Sequence, residues 1–123
     1  MPVSSAVRER VRPFLLPDEE IRYVLPASMP SVALMSAHFL VVVTDASIVV
    51  LSTGVLSRTN PRSVWGRYPR STRMGPVDTS LTPSFSLGGT FFEVDEEYVS
   101  VINAADAELA SPDTLPPDPL PDL

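Results

Sequence analysis

Residues 38–54 read HFLVVVTDASIVVLSTG, two β-branched runs flanking the polar break Thr44-Asp45-Ala46-Ser47. Valine and isoleucine in short apolar runs favour extended backbone, and the small polar residues between them form turns, so the stretch predicts a β-hairpin. A transmembrane helix over Val32–Leu51 is the competing reading of the same residues. Asp45 opposes it, with His38, Thr44 and Ser47, because a carboxylate deep in a span costs about 2.5–3.5 kcal/mol. Six valines and one isoleucine in those twenty residues also suit strands. The hairpin decides the fold class: mainly β with flanking α, a small barrel or roll.

Outward from the hairpin, the punctuation is regular. Upstream, Ser5 can cap a short helix through Arg12, with Val7 and Val11 on one face, before Pro13 ends it. Leu16-Pro17-Asp18-Glu19-Glu20 is a turn, and Ile21, Tyr23 and Leu25 alternate as a half-buried strand that Pro26 stops. A loop through Pro30 leads into the hairpin. Downstream, Asn60-Pro61 marks a turn, and Ser63 to Met74 reads as an edge strand because Pro69 cannot donate to a ladder. Alternation there puts Trp65, Arg67 and Arg73 on one face and Tyr68, Arg70 and Met74 on the other, unless a bulge at Pro69 resets the register. Phe85 and Leu87, the pair Gly88-Gly89, then Phe91, Phe92 and Val94 predict a second hairpin.

Asp95 to Ala110 admits two readings. As a helix it has Asp95 at the N-cap, Glu96 and Glu97 in the first turn, and Tyr98, Ile102, Ala105 and Leu109 on one face. As a strand, Tyr98 to Ile102 has the better local propensity. The helix is favoured because its face continues through the alanine-rich end. From Ser111 onwards the sequence is proline-rich and acidic, with five prolines and three aspartates in residues 112–123. That segment is expected to be a disordered tail with polyproline II character, which divides the chain into one domain over residues 1–110 and a tail over 111–123.

Composition bounds the functions. A chain of 123 residues supports one modest core. Cysteine is absent, which removes disulfides, thiolate metal sites and a cysteine nucleophile and fits a cytoplasmic protein. The N-terminal residues lack the apolar core of about 7–15 residues that a secretory signal needs. All nine cations are arginines, and the net charge is −6. Five of the arginines fall between Ala46 and Val77 without an acid, whereas the remainder has four arginines against fifteen carboxylates. An acidic chain with one local basic segment is a poor general binder of nucleic acid, which relies on many phosphate contacts.

No constellation for catalysis assembles. His38 is the single histidine and reads as a structural residue beside an apolar strand; without a second histidine or a cysteine it does not make a zinc site. No GxSxG elbow is present, Gly88-Gly89 lies in no GxGxxG or P-loop context, and Glu93-Asp95-Glu96-Glu97 lacks the spacing of a calcium loop. Neither an enzymatic activity nor a cofactor nor a metal is expected.

The order VRPFLLPDEEIRYVLPA, HFLVVVTDASIVVL, GRYPRSTRMGPVD, a Gly-Gly turn and a final AADAEL resembles a group of small bacterial, mainly actinobacterial, proteins related to the bacterial pleckstrin-homology-like domains. The resemblance covers roughly Val7 to Leu109. It implies a PH-like roll in which the LPDEE turn precedes the first strand and a C-terminal helix plugs the barrel. Where such relatives often carry basic residues, this chain has Met35-Ser36-Ala37-His38 and Asp95-Glu96-Glu97. The fold serves phosphoinositides, peptides and proteins alike, so it does not select a ligand.

The arginine segment is the one candidate site. Arg67, Arg70 and Arg73 could meet lipid phosphates or an acidic peptide, arginine being suited to bidentate contact. The alternative is a charged, exposed edge strand that resists edge pairing or is held by the chain's own carboxylates. On the first reading, replacing all three by alanine leaves folding nearly intact and removes anion binding. The expected function is a non-catalytic PH-like interaction module, with a protein partner ahead of an anionic membrane surface. The alternative is a structural or assembly subunit that self-associates as a homo-oligomer through the edge strand. A PxxP-like run, Pro116 to Pro119, could engage an aromatic groove, against the plainer reading of a tail.

Overall fold

The computed structural model describes residues 5–29, 37–53 and 60–109. Residues 111–123, on which the expected tail and the Pro116–Pro119 run fall, and Arg58 lie outside them. The chain begins with α1 (Ser5–Val11) and a 3₁₀ turn over Arg12–Phe14, followed by β1 (Ile21–Met29), β2 (Ala37–Thr44), β3 (Ser47–Ser52) and β4 (Ser63–Pro69). Then come β5 (Ser84–Leu87), β6 (Thr90–Glu93), a 3₁₀ turn over Glu96–Tyr98 and α2 (Val99–Leu109). The strands form one antiparallel sheet in the order β4-β3-β2-β1-β6-β5.

The central hairpin is apolar throughout because both its faces are covered. On the inner face Phe39, Val41, Val43, Ile48 and Val50 join Leu25, Phe85, Phe92, Tyr98 and Ile102 in the main core under α2. On the outer face Leu40, Val42, Val49 and Leu51 pack with Val7, Val11 and Leu15 from the N-terminal segment. A strand buried on one face alone would alternate; β2 and β3 do not, and a helix on each side of the sheet is the reason.

The sheet curls. Trp65 of β4 makes an edge contact with Phe92 of β6 at 5.8 Å between ring centroids, although three strands separate β4 from β6 in the hydrogen-bonded order. Phe39 bridges them, 5.4 Å from each ring. Tyr68 closes the same seam against Gly88, where a Cβ would lie 2.4 Å from the tyrosine ring. Gly88 and Gly89 have φ of +60° and +83°, the left-handed pair that a two-residue hairpin turn requires. The architecture is a half-barrel with a short N-terminal helix outside and a C-terminal helix over the inner face, as expected for a PH-like roll.

Both hairpins and the C-terminal helix follow the sequence expectations, except that the helix's first turn is 3₁₀ and Asp95 makes no side-chain capping bond; Tyr98 of that turn and Ile102 and Ala105 of α2 are buried. Two local expectations are corrected. Pro26 does not stop β1, which continues to Met29. Thr53 N–H donates to the His38 carbonyl, so the even-numbered positions of β2 bond to β3 and the odd ones to β1. Pro26, opposite Leu40, therefore turns its nitrogen away from β2, toward a side where pairing with β6 is made at Ser28 and Glu93. The second correction concerns β4, which ends at Pro69 rather than Met74. Its bulge falls at Trp65, between the pairs Val50–Gly66 and Leu51–Val64. Trp65 thereby turns inward onto Phe39, whereas Arg67 turns outward, and the two do not share a face.

Candidate functional site

The three sequence-predicted arginines do not converge. Arg67 lies opposite Val49 in β4 and is held on the outer face of the sheet. Its Nη1 donates to Glu19 Oε1 at 2.9 Å and to Ser47 Oγ at 3.0 Å, and its Nη2 donates to the Phe14 carbonyl. Arg70, just past β4, turns to the opposite side. There its Nη2 donates to the Ala105 carbonyl at 3.0 Å and to Glu108 Oε1 at 3.1 Å in α2. Arg73 is exposed. Arg67 and Arg70 fall on opposite sides of the sheet, as alternation predicts, but both are engaged by the chain's own carboxylates.

Glu19 organises the first of these networks. It is 3 % exposed, and its carboxylate accepts from four groups. Oε1 takes the Leu16 N–H at 2.8 Å and Arg67; Oε2 takes the Thr44 hydroxyl at 2.6 Å and the Ser47 hydroxyl. Burial by itself would raise the carboxyl's pKa. The bonds from Ser47, Thr44, the Leu16 N–H and Arg67 outweigh it and hold the group at about 2. Thr44 Oγ1 also accepts the Ala46 and Ser47 N–H groups, closing the β2–β3 turn. The Asp45 N–H donates to the Glu20 carbonyl at 3.0 Å, and Asp45 Oδ1 accepts the Glu20 N–H. The LPDEE turn, the Thr-Asp hairpin turn and the arginine strand are thus one polar lock. Sequence reading placed Glu19 in a turn and gave it no partner; its spacing from Thr44, Ser47 and Arg67 carries no local period, so no pattern exposes the lock.

A second network fixes the C-terminal helix. Glu108 accepts from Tyr23, Arg22 and Arg70, which holds its pKa below the ordinary value, the Tyr23 hydroxyl contributing most. The same bond raises the Tyr23 pKa. Buried Asp106 accepts the Met74 N–H at 3.0 Å and the Gly75 N–H at 2.7 Å, tying α2 to the segment after β4. His38 sits in β2 opposite Ser28, its Nδ1 buried without a hydrogen bond among the described residues. The described residues contain no group of three or more metal-ligating side chains, and no helix among them is long and apolar enough to cross a membrane.

What the arrangement offers outward is an edge and apolar surface. β4 pairs with β3 on one side, and among the described residues no strand pairs with its other side. Val64 and Trp65 on that edge are 46 % and 42 % exposed. Scans against protein-family models, curated proteins and solved structures return no match to this chain.

Proposed function

We propose that the domain is a non-catalytic interaction module whose partner is a protein, received along β4. The observation that carries this reading is the edge of β4 with which, among the described residues, no strand pairs, with Val64 and Trp65 exposed beside it at the end of the strand away from the Tyr68–Gly88 contact. A partner strand laid there gains main-chain hydrogen bonds and covers both side chains. Pro69 lacks an N–H, so the register would be set by the backbone before it. An anionic membrane surface has weaker support, since Arg67 and Arg70 are each bound to a carboxylate. Self-association by pairing of two β4 edges is the second reading, and the same open edge supports it.

A photo-crosslinking residue placed at position 64 in cells of the protein's own source separates these outcomes. A crosslink to another protein, absent with the crosslinker at exposed Ala107 of α2, supports the module. A crosslink to a second copy supports self-association. Absence of any crosslink specific to position 64 overturns both. Salt-sensitive pelleting with anionic but not neutral vesicles, weakened yet retained at physiological salt, would support the membrane reading instead.

A further inference from the structure

The N-terminal segment covers the outer face of the sheet over β1, β2 and β3, but among the described residues no helix covers the outer face of the β5–β6 hairpin. Alternation in β6 buries Phe92 and turns Phe91 and Glu93 outward. Phe91 is 67 % exposed, and Leu81 beside it is 89 % exposed. A bridge between Asp78 and Ser84 folds the preceding loop alongside the hairpin, leaving a groove of about 290 Å³ lined by Asp78, Leu81, Thr82, Ser84, Phe91 and Glu93.

Two features specify the occupant. Charge is the first: the groove has two carboxylates and no cation, and from Met74 to Leu109 the chain holds seven carboxylates and no arginine. Asp78 Oδ1 is engaged by the Ser80 N–H and hydroxyl, which fixes the carboxylate at the groove, whereas the Glu93 side chain, half-buried on β6, shows no hydrogen bond or ion pair among the described residues. The second is backbone: the Ser84 N–H and carbonyl are both bonded to Asp78, at 2.9 and 2.8 Å, so β5 is blocked at its start against an added strand. Recognition here must run through side chains. An aromatic ring beside two carboxylates suits a guanidinium or ammonium stacked on the ring and an aliphatic neighbour on the leucine.

We propose that this groove docks a basic, apolar peptide segment of another protein, with its cation between Asp78 and Glu93 and its apolar side chain on Phe91 and Leu81. The chain's own C-terminal sequence, with three aspartates and no cation, has the wrong charge for the site. This surface is separate from β4, and the two readings stand or fall independently.

The test is fluorescence anisotropy of the full chain with labelled eight-residue peptides. One alternates arginine with leucine, one arginine with serine, and one glutamate with leucine. The arginine–leucine peptide is expected to bind in a salt-dependent way and the other two at least about tenfold more weakly. L81S/F91S is expected to lose about tenfold or more in affinity. E93Q is expected to weaken binding and reduce its salt dependence, and V64K to leave it unchanged. Both altered surfaces are exposed, and circular dichroism reports that each variant is folded. Absence of binding, equal binding of the arginine–serine peptide, or unchanged affinity in folded L81S/F91S overturns the proposal. A dimer in sedimentation that L81S/F91S abolishes also overturns it, in favour of a second copy.

Discussion

Glu19 Oε1 lies 2.9 Å from Arg67 Nη1, a contact that joins the turn before β1 to the far edge strand of the sheet across 48 residues of sequence. The carboxylate is almost completely buried and the guanidinium partly exposed, so the pair resembles an anchored anion whose cation faces water. Its other donors, on Thr44, Ser47 and Leu16, belong to the two turns between which it sits. The contact makes Arg67 part of the scaffold that holds the edge strand.

Glu19→Gln is expected to destabilise the domain by about 2–4 kcal/mol, because an amide satisfies the donors less well and leaves Arg67 without its charge partner. Urea denaturation at neutral pH, read by the single tryptophan, measures it. A loss within about 0.5 kcal/mol would show that the lock does not hold the fold.

The same carboxylate sets an acid limit. Its folded pKa of about 2 lies below the unfolded value of 4.5, so its contribution is fully present above the unfolded value and is lost as pH falls through the window between them. The shift corresponds to about 3 kcal/mol at neutral pH. Stability measured from pH 6 to pH 2 should fall more steeply in the parent than in Glu19→Gln. Glu108, whose pKa is also lowered, adds to the same acid loss, so the variant retains part of the slope.

Arginine substitutions should separate by partner. Arg67→Ala and Arg70→Ala each remove a donor from a carboxylate network and are expected to cost about 1–3 kcal/mol, whereas exposed Arg73→Ala stays within about 0.5 kcal/mol. The triple variant should therefore unfold earlier than the parent in thermal melts, in contrast to the sequence expectation of nearly intact folding. Equal melts for all three single variants would contradict this ordering.

Gly88→Ala places a side chain at φ +60° and within 2.4 Å of the Tyr68 ring. A loss of about 1–3 kcal/mol is expected, with a changed environment for Tyr68 in near-ultraviolet circular dichroism. Gly89→Ala, whose Cβ would meet nothing within 4 Å, should cost less and leave the near-ultraviolet signal unchanged.

The sequence by itself determined the elements. β-branched runs around Thr44-Asp45-Ala46-Ser47, a glycine pair between Leu87 and Thr90, and apolar spacing from Tyr98 to Ala105 are local signals, and each element formed where they point. Its limits appear at Pro26 and Trp65. Whether a proline is tolerated depends on which neighbour its nitrogen faces, and which face a residue takes depends on a bulge elsewhere in the strand. Tertiary structure alone decided the partners. Burial of Glu19 among Thr44, Ser47 and Arg67, the division of Arg67 and Arg70 between two carboxylates, and the gathering of Leu81 and Phe91 beside Asp78 and Glu93 join residues far apart in the chain. Such pairings follow from how the sheet curls and which face each helix covers, and side-chain periodicity records neither.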